Sequence, residues 1–414
     1  MNQKSAIRSA VLAAAALTLG LAACSSGGTT AQEGESTADG ASWDTLEPME
    51  FRMATFGGED NIHSQPLNAL AETMEEVSGG KLTFEIFYGG ALVPSTEQGV
   101  AIANGITDMG TFFPAYTASD YPADEWASPL AFTPDDSPVV GSLQAIGTTL
   151  DWAYQTPEYL EDITSKGITP LLPRIQTSHA YNLLCKDEVT TLADVQGKRI
   201  RIGGPTHSAE VEALGGVPVA LPNTEVFEGL QRGVIDCTVA TLTDIVNVGL
   251  ADAAQNFTFV PFSGWSSNVF GVNTGVWEAM PEFVREAFLD EGLPAYLEAF
   301  VQAEMTANVE VAQMEELTFL PPSDDIVDVL DEYHETVLES RRTATGTPLE
   351  DPSASLDRYL EISEKWLGLV QDAGYDGAPA NWNEYIAAHN GELPDFGPWL
   401  ELVLNDVVKA NHES

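Results

Sequence analysis

Apolar and polar residues follow two different spacings along residues 49–112. Segment 66–77 places apolar residues every three or four positions, which is typical of an amphipathic helix, and segment 96–104 also predicts a helix. Segments 49–54, 81–88 and 108–112 are short and rich in apolar and aromatic residues, which favours strands. This strand–helix–strand–helix–strand order predicts parallel strands joined by right-handed crossovers.

The same rhythm returns at residue 168 and predicts a second α/β unit. Its predicted strands cover 168–172, 181–185, 199–202, 217–221 and 234–240, and its predicted helices cover 208–214 and 224–232. Beyond residue 273 the pattern is mainly helical, with helices predicted at 281–291, 295–317, 325–342 and 353–373. Glu304 and Asn308 interrupt the apolar side of the helix at 295–317, so that side need not be buried along its whole length.

The N-terminus carries the pattern of an export signal. Two basic residues and no acid precede an apolar run at 11–21, which has signal-peptide length. The run ends in Leu21-Ala22-Ala23-Cys24, which resembles the lipobox of bacterial lipoproteins. The resemblance implies a signal peptide over 1–23, lipidation of Cys24 and a lipid anchor in the outer face of the cell membrane. Residues 24–48, rich in Gly, Ser and Thr, are then a flexible linker. Ordinary secretion with a coincidental cysteine is the alternative.

The charge balance narrows the choice of partners. The chain has 414 residues with 63 acidic and 17 basic residues, and its formal charge of −46 becomes −48 once residues 1–23 are removed. Such a chain repels nucleic acid and anionic membrane surfaces, so neither is expected as a partner. The hydrophobic content of 44% is enough to build a large core, and the length suggests two or three domains.

Motifs of catalysis and of metal or cofactor binding are missing from the sequence. It contains no G-x-S-x-G, no G-x-x-x-x-G-K-[ST], no H-E-x-x-H and no EF-hand loop, and the six histidines do not fall at metal-pair spacing. Three cysteines are too few for a disulfide scaffold or a cysteine-based zinc cluster. Gly203-Gly204-Pro205 lacks the remainder of a phosphate-loop motif. We therefore predict a protein without catalytic residues, metal or cofactor.

A basic cluster stands out against the acidic background. Six of the 15 basic residues beyond residue 23 lie within 59 residues: Arg174, Lys186, Lys198, Arg199, Arg201 and Arg232. Arg201 lies near the carboxyl end of the strand at 199–202, the edge at which α/β sheets bind ligands, and a guanidinium there offers a planar fork to a carboxylate. Lys198 and Arg199 are expected only to neutralise neighbouring acids. From its position alone, Arg201 allows either role.

Several segments in order resemble one family. They are 194–202 (DVQGKRIRI), 214–219 (LGGVPV) and 225–236 (EVFEGLQRGVID), with further matches at 78–81, 105–109 and 273–281. This pattern is similar to that of the DctP-type solute-binding proteins of TRAP transporters, over residues 50 to 320. Arg199 stands where the family pattern has Lys, and Ile202 where it has Val.

The resemblance implies an α/β, two-lobe, periplasmic-binding-protein-like (type II-like) fold with a hinge and a long connecting helix. The expected lobes are 49–175 with 266–305, and 176–265 with 306–414 and the C-terminal helices. It further implies an extracytoplasmic receptor that captures an organic acid, pairs its carboxylate with Arg201 and delivers it to the membrane permease subunits of the transporter. The receptor of an ABC-type uptake system and a ligand-sensing partner of a signalling receptor are the alternatives.

The pocket expected from the resemblance is more aromatic than polar. Sialic-acid-binding members have polar or charged groups where this chain has Phe56, Ser95, Phe113 and Tyr181, and Ala240 replaces an amide. We therefore expect a monocarboxylate with an apolar or aromatic body rather than an acid sugar or a C4-dicarboxylate. The expected ligand-binding residues are Phe56, Phe112, Phe113, Tyr181, Arg201, Asn223, Thr241, Trp265 and Asn268.

Two cysteines fall on predicted strands of the second lobe. Cys185 and Cys237 can form a disulfide in an extracytoplasmic protein, or remain two buried thiols. The sequence favours neither.

Overall fold

The computed structural model describes residues 42–176, 178, 180–264 and 268–412. The predicted signal peptide, the lipidation site Cys24 and the predicted pocket residue Trp265 lie outside the described residues. The strands are β1 (Met49–Ala54), β2 (Leu82–Phe87), β3 (Met109–Phe112), β4 (Ile168–Ile175), β5 (Ala180–Cys185), β6 (Arg199–Ile202), β7 (Val217–Ala220), β8 (Cys237–Ala240), β9 (Asn256–Ser263), β10 (Asn268–Asn273) and β11 (Thr318–Leu320).

Helices connect and cover these strands. They are α1 (Gln65–Val77), α2 (Gln98–Ala103), α3 (Pro122–Ala127), α4 (Pro138–Tyr154), α5 (Pro157–Thr164), α6 (Leu192–Val195), α7 (Pro205–Ala213), α8 (Val226–Gln231), α9 (Leu242–Asn247), α10 (Thr274–Ala279), α11 (Glu282–Ala287), α12 (Leu293–Ala312), α13 (Asp324–Arg342), α14 (Pro352–Asp372), α15 (Trp382–His389), α16 (Gly397–Val403) and α17 (Ala410–His412). No helix in the described ranges is long and apolar enough to cross a membrane.

The first sheet has the strand order β2-β1-β3-β10-β4. β1 is parallel to both β2 and β3, which confirms the parallel arrangement predicted for residues 49–112. β10 lies antiparallel between β3 and β4. The strand that begins at Ile168 was expected to open the second α/β unit. That expectation is wrong, because this strand is β4, which pairs with β10 and forms an edge of the first sheet.

The second sheet has the order β11-β9-β5-β8-β6-β7. β6 is parallel to β7 and β8, while β5 is antiparallel to β8 and β9. β9 and β11 are strands that the sequence pattern did not indicate. The parallel strands β6, β7 and β8 place their carboxyl ends at the same edge, where Arg201 lies.

Helix α4 is buried along all of its residues. It was missed by the sequence pattern because an apolar surface on every side gives a helix no amphipathic face. It packs against α14, where a Cβ added to Gly147 would lie only 2.3 Å from the indole ring of Trp366. Glycine at this position therefore permits the close approach of the two helices. The lobe boundaries given above remain a prediction.

Helix α12 is the long connecting helix. It packs against α1, which follows β1 of the first sheet, and against α9, which follows β8 of the second. Its buried residues include Glu304 and Asn308. The two polar residues that interrupt its apolar side thus lie inside the molecule rather than in solvent.

Cys185 and Cys237 form a disulfide in the structure. They lie directly opposite each other on the antiparallel strands β5 and β8, and their Cα atoms are 4.1 Å apart. The bond therefore links two neighbouring strands in the middle of the second sheet.

Candidate ligand-binding site

Arg201 is a buried cation at the carboxyl end of β6. Only 5% of its surface is exposed, and its Nε donates a hydrogen bond to the carbonyl oxygen of Leu221 at 2.9 Å. Across the described ranges no carboxylate oxygen lies within 4.0 Å of its guanidinium nitrogens. The charge is thus withdrawn from water without an acidic side chain in contact.

The other members of the basic cluster have structural partners. The ion pairs are Arg174–Asp124 at 3.1 Å, Lys198–Asp187 at 3.3 Å, Arg199–Asp236 at 2.7 Å and Arg232–Glu228 at 3.0 Å, and Lys186 donates to the carbonyl oxygen of Leu230. The neutralising role predicted for Lys198 and Arg199 is confirmed. Arg201 differs from all five, because its position leads into a cavity.

The cavity at Arg201 measures about 40 Å³ and is lined by residues that belong to, or follow, strands of both sheets. We call it the polar compartment; its lining residues are Phe56, His63, Phe113, Tyr116, Tyr181, Arg201, His207, Asn223 and Asp244. The first four come from segments that follow β1 and β3, and the other five come from the second sheet and its helices. Ligand sites of α/β proteins lie at such strand ends.

A smaller space of about 10 Å³ adjoins the polar compartment. This inner compartment shares Phe56, His63 and Phe113 with the polar one. Its other lining residues are Thr55, Pro66, Gln98, Thr111, Asn268, Tyr296 and Phe300. Together the two spaces are lined by both polar and aromatic side chains.

Aromatic rings form much of the wall. The ring of Phe113 lies 5.5 Å from that of Phe56 and 5.5 Å from that of Tyr116, and Tyr181 lies 4.9 Å from His207. These contacts are edge-on or tilted, as aromatic pairs prefer. The rings hold one another in place around the buried cation.

The two histidines of the polar compartment are neutral near pH 7. Burial lowers the pKa of His63 to about 4, although the nearby carboxylate of Asp244 acts in the opposite direction. Burial also lowers the pKa of His207 from its ordinary value. Nε2 of His207 lies 2.9 Å from the carbonyl oxygen of Ser263, which can only accept, so this nitrogen carries the proton and donates it.

Larger cavities lie elsewhere, but among those of the described structure only the cavity at Arg201 is lined by a buried arginine. One of about 180 Å³ is lined by Gly204, Tyr333 and the half-buried Arg341, and another of about 250 Å³ by Thr241 and Asn308. Of the described residues that line the 180 Å³ cavity, only His207 also lines the polar compartment. We therefore choose the cavity at Arg201 as the candidate site because of its buried guanidinium and not because of its volume.

Comparisons with known proteins identify the family and the fold. A sequence model of the family described as bacterial extracellular solute-binding protein, family 7 (DctP), matches residues 53–318. The chain belongs to this family. Its members are solute receptors rather than enzymes, and they include the DctP-type receptors of TRAP transporters.

The relatives of this chain share little sequence identity with it. The ectoine-binding periplasmic protein TeaA of Halomonas elongata is 25% identical over 226 residues, which are 52% of this chain and 61% of TeaA. The chain thus spans less than two thirds of that relative's length.

Solved structures share the fold. A marine metagenome TRAP solute-binding protein specific for aromatic acid ligands, in complex with 3-hydroxybenzoate, has a TM-score of 0.64 and 17% identity over 77% of this chain and 99% of that chain. A TRAP periplasmic solute-binding protein from Bordetella bronchiseptica with bound (R)- and (S)-mandelate has a TM-score of 0.63 and 18% identity over 77% and 99%. The predicted two-lobe α/β fold class is confirmed.

The predicted pocket residues of this family 7 protein divide into three groups. Five line the polar compartment, namely Phe56, Phe113, Tyr181, Arg201 and Asn223, and Asn268 lines the inner compartment. Phe112 and Thr241 line neither. Phe112 packs in the core with its ring 5.7 Å from that of Tyr121. Thr241 caps helix α9 and lines the separate cavity of about 250 Å³.

Four described residues that line the polar compartment were not predicted from the sequence: His63, Tyr116, His207 and Asp244. As a result, the expectation of few hydrogen-bonding groups underestimates the polarity of the site. A signal existed for Asp244, since Thr241-x-x-Asp244 after a strand is a capping sequence that places an acid at a helix start. His207 lies just beyond Gly203-Gly204-Pro205, a turn that was noted for a different reason.

Asp244 is held firmly at the start of α9. Its Oδ2 accepts hydrogen bonds from the backbone nitrogen of Thr241 at 3.0 Å and from the Thr241 hydroxyl at 3.2 Å. Its Oδ1 accepts from Nδ2 of Asn223 at 3.0 Å. These bonds fix the carboxylate in the wall that also contains Arg201.

Glu304 on α12 makes stability depend on pH. Burial raises its pKa to about 8, with Asp244 acting in the same direction and a hydrogen bond from Thr243 opposing it. The ordinary value is 4.5, so between about pH 4.5 and 8 the folded chain holds a proton that the unfolded chain lacks. Raising the pH through this window therefore destabilises the fold.

We expect Glu304→Gln, which keeps the side chain neutral, to raise the melting temperature at pH 8 by about 2–4 °C or more and to change it little at pH 4.5. Melting curves of both proteins at these two pH values measure the difference. Glu310→Gln is the control, because Glu310 is exposed on the same helix. A gain that is equal at both pH values would contradict the assignment.

Proposed function

We propose that this protein is the extracytoplasmic receptor of a TRAP transporter, and that it binds a small organic acid through Arg201 and delivers it to the membrane permease. The observation that carries the proposal is the buried guanidinium of Arg201, which has no carboxylate within 4.0 Å in the described part of the chain. Membership of a solute-receptor family supports the same role.

The energetics of a buried cation favour a carboxylate as the group that Arg201 recognises. Removing a guanidinium from water is costly unless an anion or hydrogen-bond acceptors replace the water. Nε is already engaged with Leu221, and the rest of the planar fork lies at the cavity. A ligand carboxylate can accept two parallel N–H bonds from such a fork.

The wall composition supports a ligand with an apolar or aromatic body. Phe56, Phe113, Tyr116 and Tyr181 surround the polar compartment, and Phe300 extends the apolar surface inward. Two of the solved structures that share the fold contain bound aromatic acids, 3-hydroxybenzoate and mandelate. We therefore place a compact monocarboxylate, with its ring or alkyl part against these side chains, ahead of polyhydroxylated acids.

Capture is proposed to close the two halves around the ligand. The polar compartment takes side chains from both halves, and α12 packs against a helix of each, which suits a hinge motion over a bound molecule. Lipidation at Cys24 would keep the receptor beside its permease.

A thermal-shift screen tests the ligand class. Benzoate, 3-hydroxybenzoate, mandelate and phenylacetate are compared with galactonate and succinate, each at millimolar concentration. We expect at least one of the aromatic monocarboxylates to raise the melting temperature and the other two compounds to leave it unchanged, because a ligand that binds only the native state stabilises it. Stabilisation by galactonate or succinate alone would contradict the proposed class.

A further inference from the structure

A second charge shares the polar compartment with Arg201. The carboxylate of Asp244 lines the same 40 Å³ space, and only 7% of Asp244 is exposed. The two side chains do not form a salt bridge, since no pair of their charged atoms lies within 4.0 Å in the described structure. Opposite charges thus occupy one small cavity without neutralising each other by contact.

Helix capping accounts for only part of the Asp244 environment. A neutral amide would also accept the capping bond from the backbone nitrogen of Thr241, as glutamine does at the N3 position of other capping boxes. The other oxygen, Oδ1, accepts a single bond from Asn223, and a carboxylate oxygen can accept two. Asp244 therefore keeps acceptor capacity on the side of the cavity.

The histidine in the wall adds to this acceptor character. Because Nε2 of His207 donates to Ser263, the other ring nitrogen of the neutral imidazole is an acceptor. The polar compartment thus combines one strong donor, Arg201, with acceptors on Asp244 and His207. A ligand that carries only a carboxylate would satisfy Arg201 and leave the remaining acceptor capacity of Asp244 without a complementary group.

We propose that the ligand is a small zwitterion, whose carboxylate pairs with Arg201 and whose cationic N–H group donates to Asp244. This inference rests on the proposed function and narrows its ligand class. One positive and one negative side chain in the cavity match a ligand of zero net charge. A zwitterion also avoids the long-range repulsion that a net anion meets from a chain with 63 acidic and 17 basic residues.

Matched ligand triplets test the inference by calorimetry. Phenylacetate, mandelate and phenylglycine differ only in an α-hydrogen, hydroxyl or ammonium group, and propanoate, lactate and alanine repeat the series with a small body. We expect the ammonium compound of at least one triplet to bind about ten- to a hundredfold more tightly than its parent acid, the range of a charge-assisted hydrogen bond.

Asp244→Asn should remove this preference while retaining the helix cap. Asp194→Asn is the matched control, because Thr191-x-x-Asp194 forms the same capping box at the exposed start of α6. The inference is overturned if the parent acids bind as tightly as their ammonium analogues, or if the preference survives in Asp244→Asn. In both cases Arg201-dependent binding of the parent acids would leave the proposed function standing. Failure of all six compounds to bind would count against both.

Discussion

Arg201→Ala is expected to weaken ligand binding by about 2–5 kcal/mol, roughly 30-fold to several-thousandfold. The substitution removes the buried guanidinium, and the ligand carboxylate would then enter the cavity without a charged partner. Arg201 makes no salt bridge within the described structure, so its removal leaves no acid unpaired and the fold should persist. Calorimetry with a ligand found in the thermal-shift screen measures the loss.

Arg199→Ala is the control for this experiment. Arg199 lies two residues earlier on β6, is exposed and pairs with Asp236 at 2.7 Å. It has the same side chain on the same strand but lies outside both compartments. Its removal should change affinity less than about threefold. Equal losses in the two variants would show that general charge, rather than the position of Arg201, determines binding.

Asp124→Ala is expected to lower the free energy of unfolding by about 3–5 kcal/mol. Asp124 and Arg174 form a buried ion pair, with side-chain exposures of 3% and 0%. Asp124 also accepts a hydrogen bond from the hydroxyl of Ser128 at 3.1 Å. Without the carboxylate, the Arg174 charge would remain buried beside the ring of Trp152 and would lose the ion pair with Asp124. Urea titration followed by circular dichroism measures the change.

Asp187→Ala makes the same change at an exposed ion pair. Asp187 pairs with Lys198 at 3.3 Å, but 79% of its side chain is exposed. Exposed pairs contribute about 0–1 kcal/mol, so this variant should unfold close to the wild type. An equal loss of stability in Asp124→Ala and Asp187→Ala would contradict the claim that burial makes the Arg174–Asp124 pair stabilise the fold.

The fold could be predicted where local patterns decide the structure. Strand β1 was predicted with its observed bounds, because a short apolar segment between turn signals has few alternatives. The position of β10 could not be predicted in the same way. Residues 268–273 follow the second sheet's strand β9 in the chain, but they pair with β3 and β4 of the first sheet. Pairing between residues so distant in sequence leaves no local pattern from which it could be predicted.

The sequence could indicate which residues lie at the ends of strands, and part of the site is formed by such residues. The place of Arg201 at the carboxyl end of β6 allowed either role, and only the family resemblance favoured ligand binding. Phe112 and Phe113 show the limit, because neighbouring residues at the end of a strand point to opposite sides and the sequence did not say which ring faces the cavity. The structure places Phe113 in the wall and Phe112 in the core.

Asp244 was missed for a different reason. Among 63 acidic residues, a single aspartate carries little information. Its importance arises from the tertiary structure, which brings the start of α9 to the cavity that contains Arg201.

Native mass spectrometry of the purified protein tests the central claim most directly. The mass difference between native and denatured protein gives the mass of a bound ligand, and fragmentation identifies its functional groups. If Arg201 binds a carboxylate, we expect a small carboxylic acid in the wild type and in Arg199→Ala, and none in Arg201→Ala. A bound molecule without a carboxyl group, or the same acid retained by Arg201→Ala, would contradict it.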